Sequence, residues 1–152
     1  MTVPRDDGVR QVVPTEKEHP MTDPVSRLVE AIDRKDPEGI RGALAPDVRF
    51  AGMVPDNFYL MDGADTVAAK LADWYASWEE DPSYAFIGRV QDGDRAVVEF
   101  ERASTCEGEP WVVRQAHVMR VGPRGIEELR VYCCGPRKGE PELAAAYAGS
   151  AS

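Results

Sequence analysis

Apolar positions along this chain recur about every four residues in its first half and about every second residue in its second half. Asp23-Pro24 reads as an N-cap and first-turn pair, and Val25, Leu28, Val29 and Ile32 follow at i, i+3, i+4 and i+7, the stripe of a short amphipathic helix. Asp36-Pro37 repeats the start signal, and Ile40, Ala43 and Leu44 form the stripe of a second helix that Pro46 ends. Residues 47–50 alternate as a strand. A Gly- and Pro-containing loop then leads through Asn57-Phe58-Tyr59-Leu60-Met61 to Asp62-Gly63, where a third helix is expected, with Val67, Leu71, Trp74 and Trp78 as its buried stripe.

From Ser83 the period shortens to two. Residues 84–91 read as a strand, Asp92-Gly93 as a hairpin turn and residues 95–103 as the next strand. The Cys106 to Pro110 segment turns the chain again, and residues 111–121 and 126–134 form a long hairpin around Gly122-Pro123-Arg124-Gly125. Helices first and strands afterwards predict an α+β domain, with three N-terminal helices packed on a strongly curved antiparallel sheet. Residues 1–21 carry three prolines and many charges without apolar periodicity, so they predict a disordered arm, and His19 within it has no expected role. The domain is expected over residues 22–136, and residues 137–152 as a flexible tail.

A chain of 152 residues with 43% hydrophobic residues suffices for one core and not comfortably for two. Its net charge of -9 disfavours nucleic acid and anionic membranes, which bind clustered Lys and Arg. No apolar run approaches the roughly 20 residues that span a bilayer, and a cytoplasmic protein is expected. Cys106, Cys133 and Cys134 form no C-x-x-C pair and no His/Cys cluster, so they read as reduced, small apolar residues, with Cys133 as a nucleophile the competing reading, and no metal is expected. Neither a P-loop nor a Gly-x-Gly-x-x-Gly motif is present, and no cofactor is expected.

The order of several motifs resembles a known family. Leu28-Val29-Glu30-Ala31-Ile32-Asp33 with Asp36, Leu44-Ala45-Pro46-Asp47-Val48-Arg49-Phe50, Gly63 opening a helix, and Val118-Met119-Arg120-Val121 through Gly125-Ile126-Glu127-Glu128-Leu129-Arg130 are similar to the SnoaL-like branch of the nuclear-transport-factor-2-like superfamily. The resemblance covers roughly residues 22 to 135 and implies a cone-shaped fold enclosing one apolar pocket, often in a homodimer. It does not imply one activity: the superfamily includes ketosteroid isomerases, polyketide cyclases, dehydratases, epoxide hydrolases and non-catalytic binders.

Strand parity separates two faces. Glu99, Glu101, Arg114, Arg120, Glu128 and Arg130 share one, where cross-strand ion pairs are expected beside water or a dimer partner. The other carries Val98, Phe100, Val113, Gln115, His117, Met119, Val121, Leu129, Val131 and Cys133, so Gln115 and His117 are its strongly polar groups. A slip of one residue would reverse the assignment. On this parity His117 is a candidate general base and Gln115 a donor to an oxygen that gains charge; a satisfied core histidine is the competing reading. Phe50, Phe100, Val113, Met119, Leu129, Val131 and Cys133 are expected to line the pocket with Trp74 and Trp78.

By resemblance, Tyr59 and Asp62 lie where similar proteins close the pocket mouth, as a phenol donor and a carboxylate, although Asp62 also reads as the N-cap of the third helix. The Asp-Arg-Asp set of family epoxide hydrolases has no match, because the last strand offers Leu129, Val131 and Cys133. The carboxylate and two acidic donors of ketosteroid isomerases find no clear counterpart either. The expected function is cofactor-independent acid/base chemistry of the cyclase, isomerase or dehydratase type on a hydrophobic carbonyl compound. A non-catalytic ligand-binding or dimeric accessory protein is the alternative.

Overall fold

The computed structural model describes residues 23–75, 80–143 and 146. The expected N-terminal arm, residues 1–21, and Trp78 lie outside them. Three helices and seven strands are built within them. Helix α1 (Pro24–Asp33) starts as its sequence dictates: the Asp23 carboxylate accepts from the amides of Val25 and Ser26 at 3.3 Å, and Pro24 supplies the first-turn φ. Arg89 of the sheet grips the same carboxylate, which ties the helix start to a distant strand. Helix α2 (Pro37–Ala43) follows, burying Ile40 and Ala43.

Helix α3 (Ala64–Tyr75) begins one step later than Asp62 as its N-cap would require. Gly63 has φ +93°, a conformation glycine adopts without the Cβ penalty, and its carbonyl accepts from Val67 N at 3.0 Å. Asp62 instead ends strand β2 (Asn57–Asp62), exposed and opposite Arg49. The buried stripe of α3 is Val67, Ala68, Leu71 and Tyr75, so the helix turns Tyr75 into the core, while Trp74 is only partly buried and packs against the core's edge. Among the described residues no helix is long and apolar enough to cross a membrane.

The sheet runs in the order β2, β1 (Leu44–Val54), β6 (Gly125–Cys133), β5 (Glu109–Gly122), β4 (Arg95–Cys106), β3 (Glu80–Asp92), with β7 (Arg137–Lys138) added beside the start of β5. It is curved and mixed rather than purely antiparallel, because β1 and β6 run parallel. Through α3 the chain reaches the far edge at β3, and the meander β3-β4-β5-β6 then delivers β6 alongside β1 in the same direction. Such a pairing depends on the crossover, and no local sequence pattern encodes it.

The parity expected for the hairpin is the one observed. Val98, Phe100, Val113, His117, Met119, Leu129 and Val131 are all buried, and with the helix stripes most of them form the core. On the opposite face Arg114 Nε meets Glu101 Oε2 at 2.9 Å, and Arg120 meets Glu128 at 3.0 Å. Glu101, however, does not face water: it is 1% exposed, and its carboxylate also accepts from Leu143 N at 3.1 Å. Residues 137–143, part of the segment expected as a flexible tail, lie back on the sheet: β7 pairs with Trp111 and Val112, and the Leu143 amide reaches Glu101. Pairing β7 satisfies ladder positions of β5 that β6 is too short to reach.

The same outer face also carries apolar side chains that strand parity alone did not bring out. Phe58, Met53 and Tyr132 align across β2, β1 and β6, while Leu60, Val97 and Val90 lie in the neighbouring row that passes through Ala51, Arg130 and Val118. These six large apolar residues are exposed, Leu60 by 71% and Val90 by 73%.

Candidate small-molecule site

At the open end of the sheet, the inner face and α3 enclose a cavity of about 600 Å³. Its apolar lining comes from Val54, Pro55, Val113 and Trp74, and its polar lining from Asp73, Arg102, Gln115, Cys133 and Arg137. Four of the residues expected to contact a ligand therefore meet there: Gln115, Trp74, Val113 and Cys133. Asp73 and Tyr75 stand either side of Trp74 near the end of α3. Arg102 projects from the inner face of β4, two residues beyond Phe100, and its Nη1 donates to Trp74 O at 3.4 Å.

The indole of Trp74 crosses β1 at Gly52, where an added Cβ would lie 2.6 Å from the ring. Phe50 supports one side of it at a centroid distance of 5.8 Å, and Tyr59 stands edge-on at 5.5 Å. Tyr59 is thus a support for Trp74, with the Lys70 ammonium 4.2 Å above its own ring, and does not line the cavity. Asp62 is also elsewhere, in a separate cleft with Arg49, Glu128 and Arg130 on the β2 side. Phe100, Met119, Leu129 and Val131 are core residues beneath the site rather than its walls.

His117 sits directly behind Gln115 and is fully buried. It stands between Val98 and Val131 in the sheet, with the ring of Phe100 tilted against it at 4.9 Å. Its Nε2 is 3.2 Å from the Tyr75 hydroxyl and 3.3 Å from Gln115 Oε1, and Tyr75 donates to the same Oε1 at 3.3 Å. Nδ1 has no hydrogen-bond partner among the described residues. Placing the proton on Nδ1 would bury a donor without an acceptor, at about 1–3 kcal/mol, so the hydrogen-bond pattern assigns the proton to Nε2. Nε2–H and the Tyr75 hydroxyl then both donate to Gln115 Oε1, leaving a bare Nδ1 lone pair as the smaller cost.

Two consequences follow for chemistry. Burial depresses the imidazole pKa to about 3, so His117 is neutral at pH 7 and a poor proton acceptor. The Gln115 amide, its carbonyl held inward by two donors, turns its Nε2 toward Cys133 Sγ at 3.4 Å and presents a hydrogen-bond donor at the cavity wall. Sequence parity finds Gln115 and His117 but not Tyr75, which completes the cluster. The same alternation that places Phe100 inward also points to Arg102, and the helical spacing of Val67, Leu71 and Tyr75 by four points to the tyrosine. Among the described residues no group of three His, Cys, Asp or Glu side chains is placed to hold a metal ion.

A family model described as SnoaL-like domain matches residues 25–127, which spans both the helices and the polar cluster. The chain belongs to the SnoaL-like family. No curated protein matches it. Among solved structures it is similar to a protein with a ketosteroid isomerase-like fold from Catenulispora acidiphila in complex with trimethylamine, at 17% identity and TM-score 0.58 over 83% of this chain and 92% of that one. An NTF2-like protein of unknown function from Burkholderia pseudomallei is 26% identical, TM-score 0.58, over 74% of this chain and 88% of the other. A LEH-like epoxide hydrolase of M. tuberculosis is 17% identical, TM-score 0.56, over 72% and 79%. These likenesses place the SnoaL-like chain in the NTF2-like fold. The family includes cofactor-independent isomerases and cyclases.

Two outcomes test this geometry. Adding a methyl group at Gly52→Ala is expected to push the indole of Trp74 away, destabilising the fold by about 1–3 kcal/mol in urea unfolding and quenching differently the tryptophan fluorescence. His117 is the second probe. Its folded pKa lies below the ordinary 6.5, so the unfolded chain binds the proton more readily; the stabilisation is full above pH 6.5 and is lost as pH falls toward 3. Unfolding free energy should therefore drop, on the order of a few kcal/mol in total, beginning between about pH 6.5 and 4.5 where carboxylates are still ionised. A folded His117→Gln variant should lose that early decline.

Proposed function

We propose that this SnoaL-like domain carries out cofactor-independent acid/base chemistry, of the isomerase, cyclase or dehydratase type, on a hydrophobic carbonyl compound held in the cavity beside Trp74. The observation that carries this reading is the locked Gln115 amide, whose Nε2–H faces the cavity from an otherwise mainly apolar strand. A donor fixed before the substrate arrives stabilises charge that grows on a carbonyl oxygen without reorganising in the reaction.

The base in this reading is Asp73, the carboxylate among the described residues that lines the cavity. It faces the cavity from α3 while Gln115 faces it from β5. A carbon-bound proton next to the carbonyl passes to the Asp73 carboxylate, and the electron pair moves onto the oxygen against Gln115 Nε2–H. Return of the proton to a different carbon gives isomerisation; attack of the enolate on a second carbonyl closes a ring, and the alkoxide formed there takes the proton back from Asp73. His117 and Tyr75 are positioning residues that act through Gln115. One observation favours the second reading, a non-catalytic ligand binder: the site's histidine is buried and neutral rather than poised near pH 7.

The outer sheet face supports a homodimer. A two-fold axis along β5 would set β6 of one copy over β4 of the other, with Tyr132 level with Glu99 and Arg130 level with Val97, so that Tyr132 meets Val97 and Arg130 meets Glu99 only as diagonal neighbours.

Exchange of the α-hydrogens of 2-tetralone into D2O, followed by NMR, separates the two readings. The enzyme reading expects exchange above the buffer rate, reduced about 100-fold in Asp73→Asn and about 10- to 100-fold in Gln115→Leu. Saturable binding of the ketone with exchange at the buffer rate supports the non-catalytic reading instead. For the assembly, light scattering should report a dimer, and Tyr132→Glu should yield a folded monomer. A wild-type monomer at working concentration overturns that part of the proposal.

A further inference from the structure

We propose that residues 135–143 form a strap that closes one side of the ligand cavity, and that the buried carboxylate of Glu101 is the latch that holds the strap shut. The proposal rests on the reading of the cavity as a ligand site and adds to it the route by which a ligand enters and leaves. Gly135, Pro136 and Arg137 line the cavity together with Pro55 of the β1 end. Gly135 sits so close to Pro55 that an added Cβ would lie 2.8 Å from its Cγ. Further along the segment, the Leu143 amide donates to Glu101 Oε2 at 3.1 Å. Glu101 pairs across the strands with Arg114 on the outer face of the sheet, so the strap runs from the cavity on one face to a carboxylate on the other.

Between these two ends the segment is lightly held. β7 adds two ladder residues, opposite Trp111 and Val112, and the Gly139 amide donates to Pro110 O at 3.0 Å. The ion pair of Lys138 with Glu109 is exposed on both sides and adds little. Pro136, Arg137 and Lys138 are all exposed. A segment with so short a ladder and so little buried surface opens far more readily than the core. The bond to Glu101 shifts that balance toward closure. Glu101 is 1% exposed and its Oε2 also accepts from Arg114 Nε at 2.9 Å, so the hydrogen bond from Leu143 is charge-assisted and shielded from water. When Leu143 withdraws, water replaces its amide at the carboxylate, and the open state is therefore within reach. The released segment pivots at Gly135, whose φ of +73° suits glycine, and Pro136 and Arg137 lift from the cavity.

Amide hydrogen exchange read by NMR, together with stopped-flow quenching of tryptophan fluorescence by 2-tetralone, tests the latch. Leu143→Pro removes the donated N–H and leaves Glu101 in place; Leu143→Ala keeps the N–H and serves as its control. In Leu143→Pro, exchange of the Gly139 amide and both the association and dissociation rates of 2-tetralone are expected to rise by one common factor, about ten-fold, with Kd little changed, because the ligand passes only while the strap is open. Leu143→Ala should match the wild type in all three, and unchanged exchange in α1 shows that the fold is intact. Should Leu143→Pro fail to fold, Glu101→Gln, which keeps an acceptor without the charge, is expected to raise the same three rates by a smaller common factor. Unchanged exchange at Gly139 in the folded variant overturns the latch, and faster exchange with unchanged ligand rates overturns the gate; both leave the cavity reading in place. Wild-type protein that does not bind 2-tetralone overturns the cavity reading and the gate with it.

Discussion

The contact on which the rest of this site depends is the buried triangle of Tyr75, His117 and Gln115, three polar side chains from α3 and β5 closing on one another within about 3.3 Å. Polar groups placed in a core destabilise it unless they satisfy one another, and here the satisfaction is directional: two donors converge on a single carbonyl oxygen. The direction fixes the amide. With Oε1 occupied from behind, Gln115 offers the cavity a donor and not an acceptor. Phe100 and Val98 beside His117 keep water from the imidazole, and that exclusion holds the ring neutral and the triangle closed.

Around this triangle the fold supplies shape. Gly52 lets the Trp74 indole lie across β1, Phe50 and Tyr59 hold the indole from two sides, and the result is a wall that faces Gln115 across the cavity. The strand that would extend β6 is replaced at its end by β7, which carries Arg137 to the rim. The SnoaL-like family provides the scaffold, and among the described residues a fixed amide donor and an apolar wall are what this chain adds to it.

Much of the fold was legible because it rests on local rules. Asp23-Pro24 starts α1 with a carboxylate cap and Pro37 starts α2 through its fixed φ, without a side-chain cap bond from Asp36, and alternation through the closing hairpin assigned Gln115 and His117 to the inner face. What stayed hidden is set by longer-range geometry. The parallel pairing of β1 with β6 follows from a crossover, and the burial of Glu101 follows from a returning segment more than 40 residues away in the chain. For Asp62 the choice between cap and strand end was decided by the left-handed φ of Gly63. Trp74 and Tyr75 are adjacent, so a helical stripe drawn one residue off selects the wall of the site and misses the group that locks its floor.

The most direct test of this account is the protonation state and tautomer of His117, read from its imidazole nitrogen chemical shifts by NMR across pH 8 to 4.5. A buried triangle predicts a neutral ring protonated at Nε2 throughout that range, with the Tyr75 hydroxyl proton protected from exchange. A ring that titrates with a midpoint near the ordinary value of 6.5, or that carries its proton on Nδ1, would contradict it.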